Sequence, residues 1–187
     1  MIAATLDETR FGTITGPREI TFERLLPGPI ERVWAFVVEG EKRKLWLGSG
    51  EIEPRLGGDV TIIFNNGSLT PAGETVPERF EKYTGIMESH GRVTRWDPPR
   101  GIAFSWWGEP DDTSEVAINL AEADGGKVRL TLVHRLLKDR KEALSVSGGW
   151  HAHLGLLEAA LENRAPERFW GVISEVEPVY DDRLPKD

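Results

Sequence analysis

Four histidines, His90, His134, His151 and His153, are the side chains best suited to chemistry in this 187-residue chain. There is no cysteine, which removes disulfides, thiol catalysis and thiolate metal sites from consideration. An imidazole can act as an acid or base, a metal ligand or a hydrogen-bonding anchor. Spacing narrows the choice. His151 and His153 are two residues apart on a helical pattern, about 200° around the axis, so they cannot close on one ion. His90 has no acidic partner placed near it by motif, and neither a metal nor a cofactor is expected. A Ser–His–Asp set can be assembled on paper from Ser105 or Ser114 with His134, but nothing in the spacing supports it. The chain has no Gly-x-Ser-x-Gly elbow, no His-Glu-x-x-His pattern and no phosphate-cradling glycine loop. What remains is His134 and His153 as polar anchors, or as an acid/base, beside an apolar pocket. His151 is expected nearer to solvent.

The elements that must position these residues follow from periodicity. The segment 147–162 has the cleanest helical pattern. Ala143, Val146, Leu154, Leu157 and Leu161 all fall within about 40° of Trp150, and His153 sits about 60° from the centre of that stripe. Gly148, Gly155, Glu158 and Glu162 occupy the opposite face. The two glycines before Trp150 read as a kink or close-packing point, or as a hinge. A helix with such a stripe must bury it, and the rest of the chain reads mostly as short strands. Residues 18–26 alternate as a first strand, with Ile20, Phe22 and Arg24 on one side. Pro29 opens a helix over 30–38, and 41–47 reads as a second short helix with Leu45 and Trp46 turned inward. Six strands are then expected over 51–55, 59–64, 83–96, 102–107, 113–121 and 127–135, separated by glycine and proline turns. A bulge is expected at Gly85 or Gly91. Parity puts Ile102, Phe104 and Trp106 inward, then Val116, Ile118 and Leu120, then Val128, Leu130, Leu132 and His134. Trp107 is expected on the outer face, under the C-terminal segment with Phe169 and Trp170 or in a homodimer interface. Runs of neighbouring strands with tight turns imply an antiparallel sheet in an α+β arrangement.

Composition limits the partners. Net charge is −8, and the densest basic run, Lys42-Arg43-Lys44, reads as a solvated helix face, so a nucleic-acid partner is not expected. No stretch approaches the roughly 20 apolar residues of a membrane span. Asp7 and Glu8 stand where a signal peptide would have its apolar run, so a cytoplasmic location is expected. Seven tryptophans suit either a core or the lining of an apolar cavity.

Seven short motifs in order carry a resemblance. They are Pro29 with Arg32-Val33-Trp34, Leu45-Trp46, Gly57-Gly58-Asp59, Gly91-Arg92-Val93 with Asp97-Pro98-Pro99, Phe104-Ser105-Trp106, Leu130 to His134 by way of Thr131, Leu132 and Val133, and Gly148-Gly149-Trp150. Over roughly residues 19–162 the chain resembles the START-like (SRPBCC) superfamily. Within it, the chain is similar to the AHSA1-type family, named for a homologue that activates the ATPase of the large heat-shock chaperone. The resemblance implies a helix-grip fold, with an antiparallel sheet of about six to seven strands wrapped around the long C-terminal helix and an apolar cavity between them. Two departures stand out. The separate N-terminal domain of the chaperone activator has no counterpart here, and the loop 65–82 and the segment after residue 163 exceed the family's usual length.

The combined expectation is a single START-like domain over residues 1–187, with a core at about 18–163 and an extension at 164–187. It would bind a small hydrophobic molecule in the cavity. The candidate lining is Trp46, Phe64, Phe104, Trp106, Ile118, Leu132, His134, Trp150, His153 and Leu157. Glu88 and Asn119 are further polar candidates. The alternatives are an interaction module, as a chaperone co-factor linked to stress response or as a homodimer, and an enzyme acting on a bound ring compound through His134.

Overall fold

The computed structural model describes residues 6–69 and 71–186. After a one-turn 3-10 helix at Glu8–Arg10 come β1 (Thr13–Gly16), β2 (Glu19–Pro27), α1 (Ile30–Val38) and the single turn α2 (Gly40–Arg43). Next are β3 (Asp59–Asn65), the short α3 (Asn66–Leu69), a 3-10 segment at Glu78–Tyr83 and β4 (Ile86–Asp97). The chain then forms β5 (Gly101–Ser105), β6 (Glu115–Ala123), β7 (Lys127–Arg135), the long α4 (Arg140–Glu162) and α5 (Phe169–Arg183). The strands form one antiparallel sheet in the order β1-β2-β7-β6-β5-β4-β3. This is the α+β helix-grip: a seven-stranded sheet against a long helix, with two short helices after β2.

Seven strands are found, but not the same seven that periodicity suggests. The segment 51–55 is not a strand. It touches the sheet through isolated bridges at Ser49 and Ile52, because Gly57, at a φ of 73°, and Gly58 turn the chain into β3 too early for a ladder. The N-terminal arm supplies the missing strand instead, as β1 on the edge of β2. Inward alternation holds in β6 and β7, where Val116, Ile118, Leu120, Val128, Leu130, Leu132 and His134 are all buried. The irregularity in β4 lies between Val93 and Arg95 rather than at Gly85 or Gly91. Gly91 has a different role: a Cβ there would sit 2.2 Å from the carbonyl oxygen of Ser105, so only glycine permits the close approach of β4 to the end of β5.

α4 is capped at both ends. Asp139 accepts a hydrogen bond from the Glu142 amide (2.8 Å), the Arg32 guanidinium donates to the Leu161 carbonyl (2.7 Å), and Asn163 ends the helix in the left-handed conformation. The helix runs unbroken through Gly148 and Gly149.

Its second face is buried as well, because α5 lies across it. Phe169, Trp170, Val176 and Tyr180 of α5 are all buried. Gly148 is therefore a packing residue, with a Cβ at that position 3.4 Å from Ile173 Cγ2. His151 is buried rather than near solvent. Tyr180 Oη accepts from the Gly12 amide (2.8 Å) and shares a hydrogen bond with His151 Nδ1 (3.0 Å), joining α5, the N-terminal arm and α4. The extension thus completes the core.

Two further residues depart from the sequence reading. Leu45 faces solvent, 52% exposed. Arg43, read as part of a solvated basic run, is 1% exposed. Its guanidinium donates to the carbonyls of Val38 (2.8 Å) and Gly50 (2.7 Å), tying α2 to the approach to β3, and burial lowers its pKa to about 10.

Candidate functional site

The space between sheet and α4 is filled along most of its length. Leu154, Leu157 and Leu161 on α4 are buried with Phe104, Ile118 and Leu132 of the sheet. Among the described residues, space remains near the N-terminal half of α4. There a cavity of about 310 Å³ opens toward the β3 edge of the sheet. Its aromatic walls are Phe64 from β3, Tyr83 at the end of the 3-10 segment, Trp106 and Trp107 after β5, and Trp150 from α4. Ser145, Val146, Gly149 and His153 line it from α4, and Asn66 from α3. A second cavity of about 340 Å³ shares Asn66, Tyr83, Ser145, Gly149 and His153 with the first and continues toward α5. Gly149 shapes both, since a Cβ at that position would meet nothing within 4 Å.

Local backbone chemistry brings Trp107 to the cavity. Parity would send it to the outer face, but β5 ends at Ser105 and Trp107 takes a φ of 63°. Ser105 Oγ donates to the Gly108 carbonyl and Thr113 Oγ1 to the Trp106 carbonyl, which hold this turn. The Trp107 ring then stacks on Phe64, with centroids 5.5 Å apart and planes 13° apart, and stays 47% exposed at the rim. Trp106 meets both Phe64 and Trp150 within 5.6 Å. Trp170, expected near Trp107, instead stacks on Phe80.

Two polar residues at this aromatic space each have an atom with no partner among the described residues. His153 Nδ1 lies 2.6 Å from the Trp46 carbonyl. A carbonyl only accepts, so Nδ1 carries the proton and Nε2 is left as a bare acceptor. No described residue bonds Nε2. Burial lowers the His153 pKa to about 4, partly offset by the bond to Trp46, so the ring is neutral near pH 7. The second group is the Asn66 amide. Asn66 is 8% exposed and its Oδ1 is buried with no hydrogen-bond partner. Such an orphan usually costs about 1–3 kcal/mol.

His134 lies deeper and does not line the cavity. It is fully buried on the inward face of β7, opposite Ile20 on β2 and Val116 on β6. The Trp150 indole N–H donates to His134 Nδ1 (2.9 Å). Since the indole can only donate, the His134 proton must sit on Nε2. Nε2–H then donates to Ser114 Oγ (2.9 Å), which donates to Glu142 Oε1 (3.1 Å). Burial holds the His134 pKa down at about 3. The chain of donors runs from histidine to serine to carboxylate, so His134 already presents a proton to Ser114 and cannot act as its base. Ser105 is also committed, accepting from the Arg92 amide (2.9 Å). Long-range proton–nitrogen NMR is expected to show the Nε2–H tautomer of His134 at pH 7, lost on Trp150→Phe, which should also cost about 1–3 kcal/mol for the orphaned Nδ1. An Nδ1–H tautomer in the native protein would refute this wiring.

Of the candidate lining residues, Phe64, Trp106, Trp150 and His153 meet at the cavity. Phe104, Ile118, Leu132 and Leu157 are core packing further along the helix, and Trp46 is fully buried with its indole nitrogen donating to the Phe36 carbonyl (2.9 Å). Glu88 pairs with exposed His90 on the sheet surface, and Asn119 accepts from Arg95, so neither reaches the site. Sequence reasoning missed Asn66, Tyr83, Ser145, Gly149 and Trp107. The one available signal was the unusual length of the loop 65–82, which delivers Asn66, while Tyr83 follows directly after it.

Comparisons with known proteins agree with this architecture. The family model described as "Activator of Hsp90 ATPase homolog 1-like protein" matches residues 27–162, from the end of β2 to the end of α4. The chain belongs to this family. Within the START-like superfamily, it is similar to the protein encoded by gene BPP1335 of Bordetella parapertussis, at 41% identity and a TM-score of 0.79, covering 94% of this chain and 91% of that one. CalU16 from Micromonospora echinospora shares the fold at 19% identity and a TM-score of 0.65, over 90% and 89% of the two chains. DynU16, a protein in the dynemicin biosynthetic locus, does so at 18% identity and a TM-score of 0.61, over 82% of this chain and 50% of its own. A search of curated proteins gives no match. The family match stops before α5, the element that buries the second face of α4.

Proposed function

We propose that this protein binds one small, largely apolar, ring-bearing molecule in the aromatic cavity beside α4. The observation that carries this reading is the combination at one place of stacked aromatic walls, about 310 Å³ of space and two polar atoms without partners among the described residues, His153 Nε2 and Asn66 Oδ1. Apolar walls supply affinity, and the few polar groups fix orientation. The superfamily's fold commonly holds hydrophobic ligands, and one neighbour of the same fold, DynU16, is described as a protein of the dynemicin biosynthetic locus, which fits a small-molecule role. Binding rather than turnover is favoured by the wiring of His134, committed to Trp150 and Ser114, and by the low pKa of His153, about 4, which makes its free nitrogen a weak base.

Gly149→Phe tests the reading, because the new ring would occupy the open space while the helix gains propensity of up to about 1 kcal/mol. Trp106, Trp107 and Trp150 make tryptophan fluorescence the natural readout. The neutral fluorophore N-phenylnaphthylamine is expected to quench it saturably in the native protein, with affinity at least about tenfold weaker in the variant. Equal binding by both proteins would sink the proposal. Native mass spectrometry of the purified protein then identifies any co-purifying ligand.

A second reading, association with a chaperone or a second copy, is favoured by the exposed Trp107 at the rim and by the family's description. Gly149→Phe separates the two, since it fills the interior and leaves the rim intact. Phe169, Trp170, Val176 and Tyr180 of α5 are buried within the protein, so the rim at Trp107 is where this second reading places the contact.

A further inference from the structure

The second cavity differs from the first in charge. Where the aromatic cavity is lined by Asn66, Ser145 and His153 as its polar side chains, the adjoining space is lined by Arg79 and Lys82 from the 3-10 segment and by Lys141 from the first turn of α4. Glu177 of α5 is the acidic residue in that lining, and it is held by Arg79 at 2.7 Å. Lys82 and Lys141 have no carboxylate within ion-pair distance among the described residues. The Lys82 ammonium rests instead 4.8 Å from the centroid of the Tyr83 ring, which lines both cavities. Two free ammonium groups at one mouth are unexpected in a chain of net charge −8. The passage between the two spaces runs past Gly149, His153 and the orphan amide of Asn66.

We infer that the ligand is an amphipathic organic anion, with its ring body in the aromatic cavity and its acidic group at the Lys82–Lys141 mouth. This rests on the cavity reading above and adds the charge and the orientation. An acid placed there gains two cations while its apolar part leaves water. At the junction the Asn66 amide and His153 Nε2 would pair with a hydroxyl or amide of the ligand. A neutral hydrocarbon of the same shape would gain only the burial, leaving both junction groups unpaired.

Two fluorophores of nearly the same shape test this: anilinonaphthalene sulfonate, an anion, and N-phenylnaphthylamine, the same framework without the sulfonate. The native protein is expected to bind the sulfonate about five- to tenfold more tightly. That preference should disappear in Lys82→Ala/Lys141→Ala and in 1 M salt, with affinity for the neutral probe unchanged. Both lysines are exposed, so the double variant should fold. If the native protein binds both probes equally, or the lysine variant keeps the preference, the charge assignment is wrong and the cavity reading survives. If neither probe responds to Gly149→Phe, both are wrong.

Discussion

Between pH 7 and pH 5 the protein is expected to lose on the order of 4–5 kcal/mol of folding stability, a large part of the usual 5–15 kcal/mol. The cause is three buried histidines. Burial holds His134 and His151 at about 3, and His153 at about 4, all below the ordinary value near 6.5. For His151 the neighbouring guanidinium groups of Arg24 and Arg10 add to the effect. Because the folded-state values are depressed, their stabilising contribution is fully present above about pH 6.5. It is lost as pH falls toward 4 to 3, where the unfolded chain takes up protons that the folded chain refuses. At its steepest the slope approaches about 4 kcal/mol per pH unit, three protons' worth. Glu158 works the other way, since burial raises its pKa despite Arg10 and Arg24, but it offsets at most one proton and only near its own range. Denaturant titrations at half-unit steps from pH 7.5 to 4.5 measure the slope directly. His151→Gln should remove about a third of it. A denaturation midpoint that stays flat to pH 5 would mean that these rings are not buried as neutral species.

A comparably large effect is expected from the charge cluster where the arm meets the outer face of α4. Arg24 lies on the inward side of β2, and its side chain is 3% exposed. Its Nε is 2.6 Å from Glu158, which also pairs with Arg10 at 3.1 Å. Gly155 makes room for this: a Cβ there would stand 2.7 Å from the Arg10 guanidinium. Removing one member of a buried pair leaves the other charge without compensation. Glu158→Ala is therefore expected to cost about 3–5 kcal/mol. Replacing both charges by apolar residues removes the desolvation penalty along with the attraction, so Arg24→Met/Glu158→Leu should recover most of the loss. Chemical denaturation of Arg24→Met, Glu158→Leu and the double variant forms a double-mutant cycle. Additive losses would show that the pair is not coupled as described.

Much of the frame could be read from local pattern. Strict alternation in β6 and β7 identified the inward residues because period two is a property of the extended chain itself. The stripe through Trp150, Leu154, Leu157 and Leu161 identified the long helix for the same kind of reason. The site was legible only in part. Phe64, Trp106, Trp150 and His153 could be named, whereas Leu132, Ile118 and Leu157 belong to the filled part of the grip. Parity says which face a side chain takes, but not how far along the helix the space closes.

Other residues needed the tertiary structure. Trp107 changed sides because one positive φ after β5 breaks the parity on which the reading depends. Arg43 looked like surface charge because its acceptors are backbone carbonyls, which carry no sequence signature. His151 and Gly148 looked solvent-facing because a stripe pattern reports one buried face, and α5 covers the other from more than a dozen residues away in sequence. The sequence by itself determined the layers: an antiparallel sheet, the helix laid on it, and Trp106, Trp150, His134 and His153 turned inward. Only the tertiary structure decided where that interior stays open, which nitrogen carries the proton on His134 and on His153, and that a second helix closes the fold. These depend on contacts between distant segments, and periodicity within a segment does not encode them.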